Sequence, residues 1–363
     1  MATPRNILIF HPAGIGDAIL AFPAMKALRA ACPESWITLV TSRRAWAIVE
    51  GCPYVDEILC IGIEEMPIKL FNRINISDVW HLWRQLRRRP CDLAVDLTRI
   101  GSRLGGVKRA IMFAAIGARH KIGRNTHGRG FYLDEVLTDP PTTAKHEVKS
   151  CLEIVALAGA APIEPKLEIF LTDADHQEAA ELLSTIELKS TVIGLNPNAN
   201  WPAKKWPLDR VVAAADTLAE KHDATIVLIG SPQDRADTAE IAQRMSQPAT
   251  DVAGRLSLKG TGALLSRLDV FVTNDTGPMH MAAAVNTPTV AIFGPIDPVR
   301  YGPYGLGEHC RILSHRNLCA ANCEIVCSQP THRCMEDIQV ADVVTATTEL
   351  IDHKTSPAVT PIS

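Results

Sequence analysis

Near its start the chain reads ILIFHPAGIGD from Ile7 to Asp17: four apolar residues, a turn with two glycines, and the beginning of an apolar helical pattern. An apolar run without polar alternation is typical of a strand covered on both faces of a sheet. Two glycines let the backbone approach a ligand closely, and a helix N-terminus favours anions. This strand–turn–helix unit therefore predicts a parallel α/β sheet with a binding site at its edge.

The same pattern recurs along the chain, with helical stretches such as 208–220 and 233–245 between the apolar runs. The further predicted strands are 36–40, 93–97, 192–195, 225–229, 270–272 and 289–293. Because the series runs twice, we predict two Rossmann-like, doubly wound domains over 1–170 and 171–353, followed by a flexible tail over 354–363. Two such domains are expected to face a cleft at the carboxyl ends of their strands.

The overall composition fits a globular chain of two domains and excludes few functions. Of the 363 residues, 47% are hydrophobic and 21% are charged, and the net charge is −3. No apolar run reaches the length of about 18 residues that a membrane span needs, and the opening residues lack the apolar core of a signal peptide. We therefore expect a cytoplasmic protein whose ten cysteines are reduced or metal-bound rather than paired in disulfides.

Asp17 lies at the junction between the first predicted strand and the helix that follows it. Its side chain has two interpretations. It is either a catalytic carboxylate at the edge of the cleft or a residue that caps the helix. The preceding Gly14-Ile15-Gly16 only partly matches the dinucleotide fingerprint, because Ile19 occupies the position of the third glycine. A nicotinamide-dependent dehydrogenase is therefore disfavoured.

Two motifs in the second half suit a phosphate group. In PAKKWP (202–207), Lys204 can reach a phosphate as a point charge, or it can be one of two solvated lysines. In TNDTGPMH (273–280), the backbone N–H groups of Thr276 and Gly277 open a helix and point at an anion. His280 lies one helical turn later, facing either the ligand or the core.

A long stretch of the first half is strongly basic. Residues 80–130 contain twelve Lys or Arg and two acids. Arg84, Arg87, Arg88 and Arg89 end a predicted amphipathic helix whose apolar side carries Val79, Trp83 and Leu86. Such a helix suits either an anionic membrane surface or a solvated face packed on the sheet. The cations that follow the next two predicted strands lie at the predicted cleft edge and suit an acceptor rich in acidic groups. Nucleic acid is disfavoured as a ligand, because no binding motif and no interleaved aromatic residues accompany these cations.

Four cysteines near the end of the chain could form a metal site. Cys319, Cys323, Cys327 and Cys334 are spaced C-x3-C-x3-C-x6-C. Four thiolates this close could hold zinc or an iron–sulfur cluster, although the spacing is not the paired C-x2-C of zinc ribbons. Buried thiols, or a disulfide in oxidised protein, are the alternatives.

Four motifs, taken in their order along the chain, resemble those of the heptosyltransferases of glycosyltransferase family 9, which build the inner core of lipopolysaccharide. They are GIGD (14–17), AKKWP (203–207), NDTGPMH (274–280) and FGPIDP (293–298). The resemblance extends from Ile7 to about Val344. It implies a GT-B fold with an acidic, lipid-linked acceptor on the first domain and an ADP-sugar on the second. It also implies that no metal is required. For a cytoplasmic protein, the basic stretch leaves peripheral contact with the cytoplasmic face of the inner membrane open beside simple binding of the acceptor.

The resemblance also implies roles for individual residues. Asp17 becomes the general base of a single inverting displacement, and Lys204 meets the diphosphate. The other implied donor contacts are Asp234 at the ribose, Leu256 at the adenine, and Asp275, Thr276, Gly277 and His280 at the phosphates. The predicted acceptor contacts are Gly14, Gly16, Arg99, Arg103, Lys121 and Arg124.

Three alternatives to this assignment remain at the level of sequence. The first is a GT-B transferase with another nucleotide sugar or acceptor, because His11 and the segment 196–201 depart from the family pattern. The second is a nucleotide-binding protein without catalysis. The third is a redox or iron–sulfur protein built on the cysteines, which would be coloured.

Overall fold

The computed structural model describes residues 3–61, 80, 83–85, 88–138, 145–318, 323 and 326–355. The chain divides into two compact units between Phe170 and Leu171. Each unit contains one six-stranded sheet in which all neighbouring strands are parallel. The predicted α/β class is therefore confirmed.

The first sheet has the strand order β3-β2-β1-β4-β5-β6. Its strands are β1 (Asn6–His11), β2 (Trp36–Ser42), β3 (Glu57–Ile61), β4 (Leu93–Asp96), β5 (His120–Asn125) and β6 (Glu135–Thr138). The helices described in this unit are α1 (Ile15–Ala31), α2 (Arg43–Val49), α3 (Arg103–Ile116) and α4 (Glu147–Ala156). Helix α1 is buried over residues 18–25 and packs against α4.

The second sheet has the order β12-β11-β10-β7-β8-β9. Its strands are β7 (Thr191–Asn196), β8 (Ala224–Leu228), β9 (Ala249–Asp251), β10 (Val270–Asn274), β11 (Thr289–Phe293) and β12 (Cys310–Ser314). The described helices are α5 (Asp173–Ser184), α6 (Leu208–Lys221), α7 (Arg235–Arg244), α8 (Leu258–Leu265), α9 (Gly277–Ala284), α10 (Pro298–Tyr301), α11 (Arg333–Glu336) and α12 (Val340–Thr355).

Both sheets therefore share one topology, in which the first strand of the unit lies in the middle. In the first unit the neighbours at the centre are β1 and β4, and in the second they are β7 and β10. The strand order reverses direction at these pairs. In open parallel sheets such a switch point leaves a crevice at the carboxyl ends of the strands, where ligands bind.

All seven predicted strands are present, whereas β3, β5, β6, β9 and β12 were not predicted. The missed strands lie away from the centre of each sheet, and several are short or polar, as in HKIGRN and ATD. Strand β3, with the sequence EILCI, is mostly apolar and was missed nonetheless. The helix predicted over 233–245 is split, because Pro232–Asp234 forms a 3-10 turn before α7. A proline suits such a first turn, since it has no N–H to donate.

Several sequence predictions fall outside the described residues. Val79, Leu86 and Arg87 of the predicted basic helix are among them, as are Cys319 and residues 356–363. Helix α12 reaches Thr355, one residue past the predicted start of the tail at 354. No helix in the described part of the chain is long and apolar enough to span a membrane.

Candidate active site

Asp17 is the third residue of α1 and lies at the switch point of the first sheet. Gly14 precedes the helix in an extended conformation, and its N–H donates to Asp17 Oδ2 at 3.2 Å. A carboxylate in the first turn interacts favourably with the helix dipole. The side chain is only half-buried. The two interpretations from sequence are therefore compatible, because the carboxylate closes the turn and remains accessible at the sheet edge.

His11 ends β1 and is buried beside Asp17. Its Nε2 lies 3.1 Å from the backbone carbonyl of Asp17, so the imidazole ties the strand to the first turn of α1. Burial lowers the pKa of His11, and this effect outweighs the opposing influence of the carboxylates of Asp17, Glu147 and Asp96. His11 Nδ1 has no hydrogen-bond partner among the described residues.

Asp96, at the end of β4, is the centre of a buried polar network. Its carboxylate accepts hydrogen bonds from Arg109 at 2.7 Å and from the Tyr132 hydroxyl at 2.7 Å, and it also accepts from the Thr98 N–H at 3.0 Å. Although burial acts in the opposite direction, Asp96 raises the pKa of Arg109. A network satisfied in this way stabilises the sheet edge. The sequence offered one signal for it, an acid ending an apolar strand.

Arg124 was predicted to contact the acceptor, but the structure places it in the interior. Its side chain has no exposed surface, and its guanidinium forms an ion pair with Glu147 at 2.9 Å. Glu147 is the first residue of α4 and is itself buried. In this structure the Arg124 guanidinium is therefore enclosed with its carboxylate partner inside the first unit.

The other cations predicted to bind the acceptor differ in exposure. Arg103, at the start of α3, is exposed, and Arg99 is half-buried. Lys121 lies 2.8 Å from the carboxylate of Asp134, and this pairing holds the pKa of Asp134 below its ordinary value against the effect of burial. Gly14 and Gly16 are half-buried on either side of the helix start.

Two asparagines join the loops at the switch point of the second sheet. Asn196 ends β7, and its amide donates to Thr276 Oγ1 at 3.1 Å. Asn274 ends β10, and its amide donates to the Pro197 carbonyl at 2.7 Å. Buried side-chain bonds between loops that follow two different strands fix the shape of this edge. Sequence reasoning missed both residues, although each is a polar residue that closes an apolar strand.

Lys204 and Asp275 form a largely buried ion pair at this edge. Lys204 Nζ lies 2.7 Å from Asp275 Oδ2, with side-chain exposures of 16% and 6%. Burial raises the pKa of Asp275, while Lys204 acts in the opposite direction. The Lys204 ammonium also lies 4.7 Å from the centre of the Trp201 ring. The neighbouring Lys205 instead contacts Asp237 at 2.8 Å.

Helix α9 begins beside this pair. Thr276 is its N-cap in an extended conformation, makes no side-chain capping hydrogen bond, and is followed by Gly277 and by Pro278 in the first turn. The first N–H groups of a helix have no partner within it, and the dipole adds positive potential there. His280, the fourth residue of α9, is buried. The structure thus brings together five of the predicted donor contacts: Lys204, Asp275, Thr276, Gly277 and His280.

Asp234 and Leu256 follow the neighbouring strands β8 and β9. Asp234 Oδ2 accepts from the N–H of Ser231 at 2.8 Å and from its hydroxyl at 2.6 Å, which closes the turn after β8. Leu256 is half-buried just before α8. Gly230 keeps this turn tight, because a Cβ there would lie 2.9 Å from Asp234 Cβ.

The Cys-Met segment near the end of the chain packs behind the Lys204 loop. His332 Nε2 lies 2.9 Å from the Ala203 carbonyl, and Cys334 and Met335 are buried in the core of the second unit. A Cβ on Gly294 would lie 2.6 Å from the Ala203 carbonyl and 3.1 Å from Met335 Sδ. His332 and Met335, which flank the buried Cys334 of the predicted metal cluster, therefore support the loop.

The remaining cysteines do not complete a metal site in the described part of the chain. Cys327 Sγ lies near the carbonyls of Gln329 and Thr331, at 3.9 and 3.8 Å. The described residues include no group of three or more His, Cys, Asp or Glu that could hold a metal ion, and the described cysteines form no disulfide. Cys319 is outside the described range.

A family model described as glycosyltransferase family 9 (heptosyltransferase) matches residues 79–332, well over half of the chain. The lipopolysaccharide core heptosyltransferase OpsX of Haemophilus influenzae is 21% identical over 309 residues, which is 83% of this chain and 82% of that protein.

Two solved structures share the fold. A family 9 glycosyl transferase from Veillonella parvula has a TM-score of 0.79 at 22% identity, covering 96% of this chain and 98% of its own. The Escherichia coli heptosyltransferase WaaC, in complex with ADP-2-deoxy-2-fluoro heptose, has a TM-score of 0.64 at 17% identity, covering 96% of this chain and 100% of its own. These similarities confirm the GT-B fold class expected from the sequence.

Proposed function

The chain belongs to glycosyltransferase family 9, and on that basis we propose that it transfers a heptose from ADP-heptose to an acidic acceptor of the lipopolysaccharide inner core. In this proposal the second unit binds the donor and the first unit binds the acceptor. The observation that carries it is the buried Lys204–Asp275 pair beside the N-terminus of α9.

A diphosphate suits this position for electrostatic reasons. Lys204 is a shielded cation with one anionic partner, and the N–H groups at the start of α9 provide a second positive region. A donor diphosphate would replace the Asp275 carboxylate as the anionic partner of Lys204. The family resemblance, and the ADP-sugar analogue in the E. coli WaaC structure, support ADP-heptose as the donor. Asp234 would meet the ribose and Leu256 the adenine.

Lys204 and α9 also supply the chemistry needed by the leaving group. Negative charge grows on the diphosphate as the bond to the anomeric carbon breaks. A fixed ammonium and oriented N–H groups stabilise that charge without reorganising. In this proposal they do so without a metal ion, and the packing of His332 and Met335 behind the loop keeps Lys204 in place.

Asp17 would act as the general base. An acceptor hydroxyl attacks the anomeric carbon, its proton passes to the Asp17 carboxylate, and the bond between that carbon and the diphosphate oxygen breaks in the same step. A single displacement of this kind inverts the anomeric configuration. Gly14 and the buried His11 hold the turn that carries Asp17, which fixes the direction of the carboxylate.

The acceptor would be recognised by cations around the first sheet edge. Arg103 is exposed and Arg99 and Lys121 are half-buried, so they can contact phosphates or acidic sugars. An acidic glycolipid fits this charge better than a neutral sugar would. The H. influenzae relative, a lipopolysaccharide core heptosyltransferase, supports the same acceptor class.

A transfer assay tests the proposal. The purified protein would be given ADP-heptose and lipopolysaccharide truncated at different inner-core positions, and both ADP release and the acceptor mass would be followed. We expect ADP release coupled to the gain of one heptose on at least one truncated acceptor. Turnover with a UDP-sugar but not with ADP-heptose would keep the fold and overturn the donor assignment. No turnover together with no ADP binding would overturn the proposed function as a whole.

A further inference from the structure

Glu178 of α5 holds a single residue at the start of another helix, α8. Its Oε1 accepts from the N–H of Ser257 at 2.7 Å, and its Oε2 accepts from the Ser257 hydroxyl at 2.5 Å, across 79 positions of the chain. Hydrogen bonds to an ionised group are stronger than those between neutral groups. The carboxylate therefore fixes both the backbone and the side chain of Ser257.

Helix α8 does not need this contact in order to begin. Ser257 is its N-cap, and the Ser257 Oγ accepts from the N–H of Gly260 at 2.9 Å. A serine in this position satisfies a free donor of the first turn without help from a second side chain. The carboxylate of Glu178 adds hydrogen bonds outside the cap. They act on the position of Ser257, and through it on the preceding residue, Leu256.

Gly260 leaves room for this carboxylate. It is buried in α8, and a Cβ there would lie 2.7 Å from the carboxylate carbon of Glu178 and closer still to Oε2. A helical backbone does not itself require glycine, and glycine inside a helix is less favourable than alanine. The close approach of Glu178 therefore explains the glycine. A locally unfavourable residue kept for one contact is typical of a functional site.

The loop over 252–256 is held at its other end by the turn after β8. Arg235, the first residue of α7, donates to the carbonyls of Ala253 and Gly254 at 3.1 and 2.9 Å. The N–H of Gly254 donates to the Gly230 carbonyl at 2.9 Å. One end of the loop is thus attached to the turn that contains the predicted ribose contact, and the other end is attached to α5.

We propose that Glu178 is a positioning residue for the nucleoside end of the donor. It acts through Ser257 and fixes where Leu256 lies relative to Asp234. The inference rests on the proposed function, which places Leu256 at the adenine and Asp234 at the ribose. Without the carboxylate the loop would sample other positions, and a nucleotide would have to order the loop in order to bind.

Calorimetric titration with ADP tests the inference. Glu178→Ala should raise the ADP dissociation constant about five- to tenfold, because the loop loses one of its two attachments. Glu178→Gln keeps one acceptor oxygen, so its dissociation constant should lie between those of Glu178→Ala and wild type. In the transfer reaction, the KM for ADP-heptose should rise while kcat stays within about twofold of wild type, since the reacting bond lies beyond the phosphates.

The close approach of Gly260 to Glu178 gives a second test. Gly260→Ala should displace the carboxylate and weaken ADP binding about as much as Glu178→Ala does. In the double variant the added methyl group no longer meets a carboxylate. The double variant should therefore bind ADP as Glu178→Ala alone does. Losses that add up in the double variant would show that the two residues act separately, which would contradict the inference.

Asp216→Ala is the matched control, because Asp216 of α6 holds the segment before β9 in a similar way. Its carboxylate accepts from the N–H groups of Ser246 and Gln247, both at 2.9 Å. Chemical denaturation should show that this variant loses about as much stability as Glu178→Ala, whereas its ADP affinity should equal that of wild type.

The outcomes separate the inference from the proposed function. If wild-type protein binds ADP, then an unchanged affinity in Glu178→Ala, or an equal loss in Asp216→Ala, would overturn the inference alone. If Glu178→Ala fails to fold, Glu178→Gln makes the same comparison. Wild-type protein that binds no ADP would overturn the proposed function, and the inference would fall with it.

Discussion

The first and second sheet edges share one strand order and differ in how their charges are paired. At the first edge, two guanidiniums are neutralised inside the protein, Arg109 by Asp96 and Arg124 by Glu147, while the Asp17 carboxylate remains half-exposed. At the second edge, a lysine lies beside a helix N-terminus with one buried carboxylate as its partner. One edge thus offers a carboxylate and the other a cation.

The shared topology determines only where ligands can bind, while the pairing of charges determines which chemistry each edge can support. A base must accept a proton, so it needs an accessible carboxylate on a rigid turn. A phosphate site needs positively charged groups that the bound phosphate can contact.

Replacing Asp17 with Asn should nearly abolish transfer. We expect kcat to fall about a thousandfold, because the amide cannot take the acceptor proton. The amide oxygen can still accept from the Gly14 N–H, so the turn and the stability should persist. Calorimetry should give an unchanged ADP affinity. Normal turnover by this variant would leave Asp17 with a capping role alone.

Replacing Glu147 with Gln should destabilise the first unit strongly. Arg124 would then be a buried cation without a compensating charge, which costs about 3–5 kcal/mol in the free energy of unfolding. Chemical denaturation measures this change. Lys145→Met, which breaks the partly exposed pair with Glu153, is the control and should have little effect. Equal effects of the two substitutions would mean that the first edge does not depend on its buried pairs.

Replacing Lys204 with Ala should weaken ADP binding about 10- to 100-fold, as expected when a shielded cation is lost from a phosphate site. Lys205→Ala is the matched control, since the adjacent lysine contacts Asp237 and Asn198. Its effect on the ADP dissociation constant should be several-fold smaller. Identical losses in the two variants would show that only the net charge of the loop matters.

The pH dependence of stability should report the burial of His11. The pKa of His11 is lowered in the folded protein. Below a pH of about 6.5, the ordinary pKa of histidine, the unfolded chain therefore binds a proton at His11 while the native imidazole stays neutral. The stabilising contribution of neutral His11 is therefore present above that pH and is lost as pH falls toward the lowered pKa, by at most about 1.4 kcal/mol per pH unit.

Denaturant titrations between pH 8 and about pH 5 measure this slope. His11→Asn should flatten it. His222, whose pKa is lowered by burial in the second unit but which is less enclosed, is the comparison, and His222→Asn should change the slope less. A steep slope retained in His11→Asn would place the proton uptake elsewhere.

The sequence predicted the central strands of both units and the positions of the main motifs. Runs such as Ile7–Phe10 and Thr289–Phe293 are continuous and apolar because both faces of these strands are covered. The edge strand β9, with its three residues, carries too few apolar side chains to be recognised from the sequence. The glycine turns and helix N-termini of the candidate site can be recognised from a few adjacent residues of the sequence.

Charge pairing could not be predicted in the same way. Arg124 and Glu147 are 23 positions apart, so nothing local to Arg124 shows that it is buried. Lys204 and Lys205 are neighbours with the same chemistry, and only the path of the loop decides which one meets Asp275.

In the proposed function the donor nucleotide binds the second sheet edge and not the first. Hydrogen–deuterium exchange with and without saturating ADP tests this placement, with NAD as a control nucleotide. We expect slower exchange in peptides covering 201–206, 230–235 and 274–281, and unchanged exchange in peptides covering 7–17. Protection of the Asp17 turn by ADP, with none around Lys204 and α9, would contradict the division of roles between the two edges.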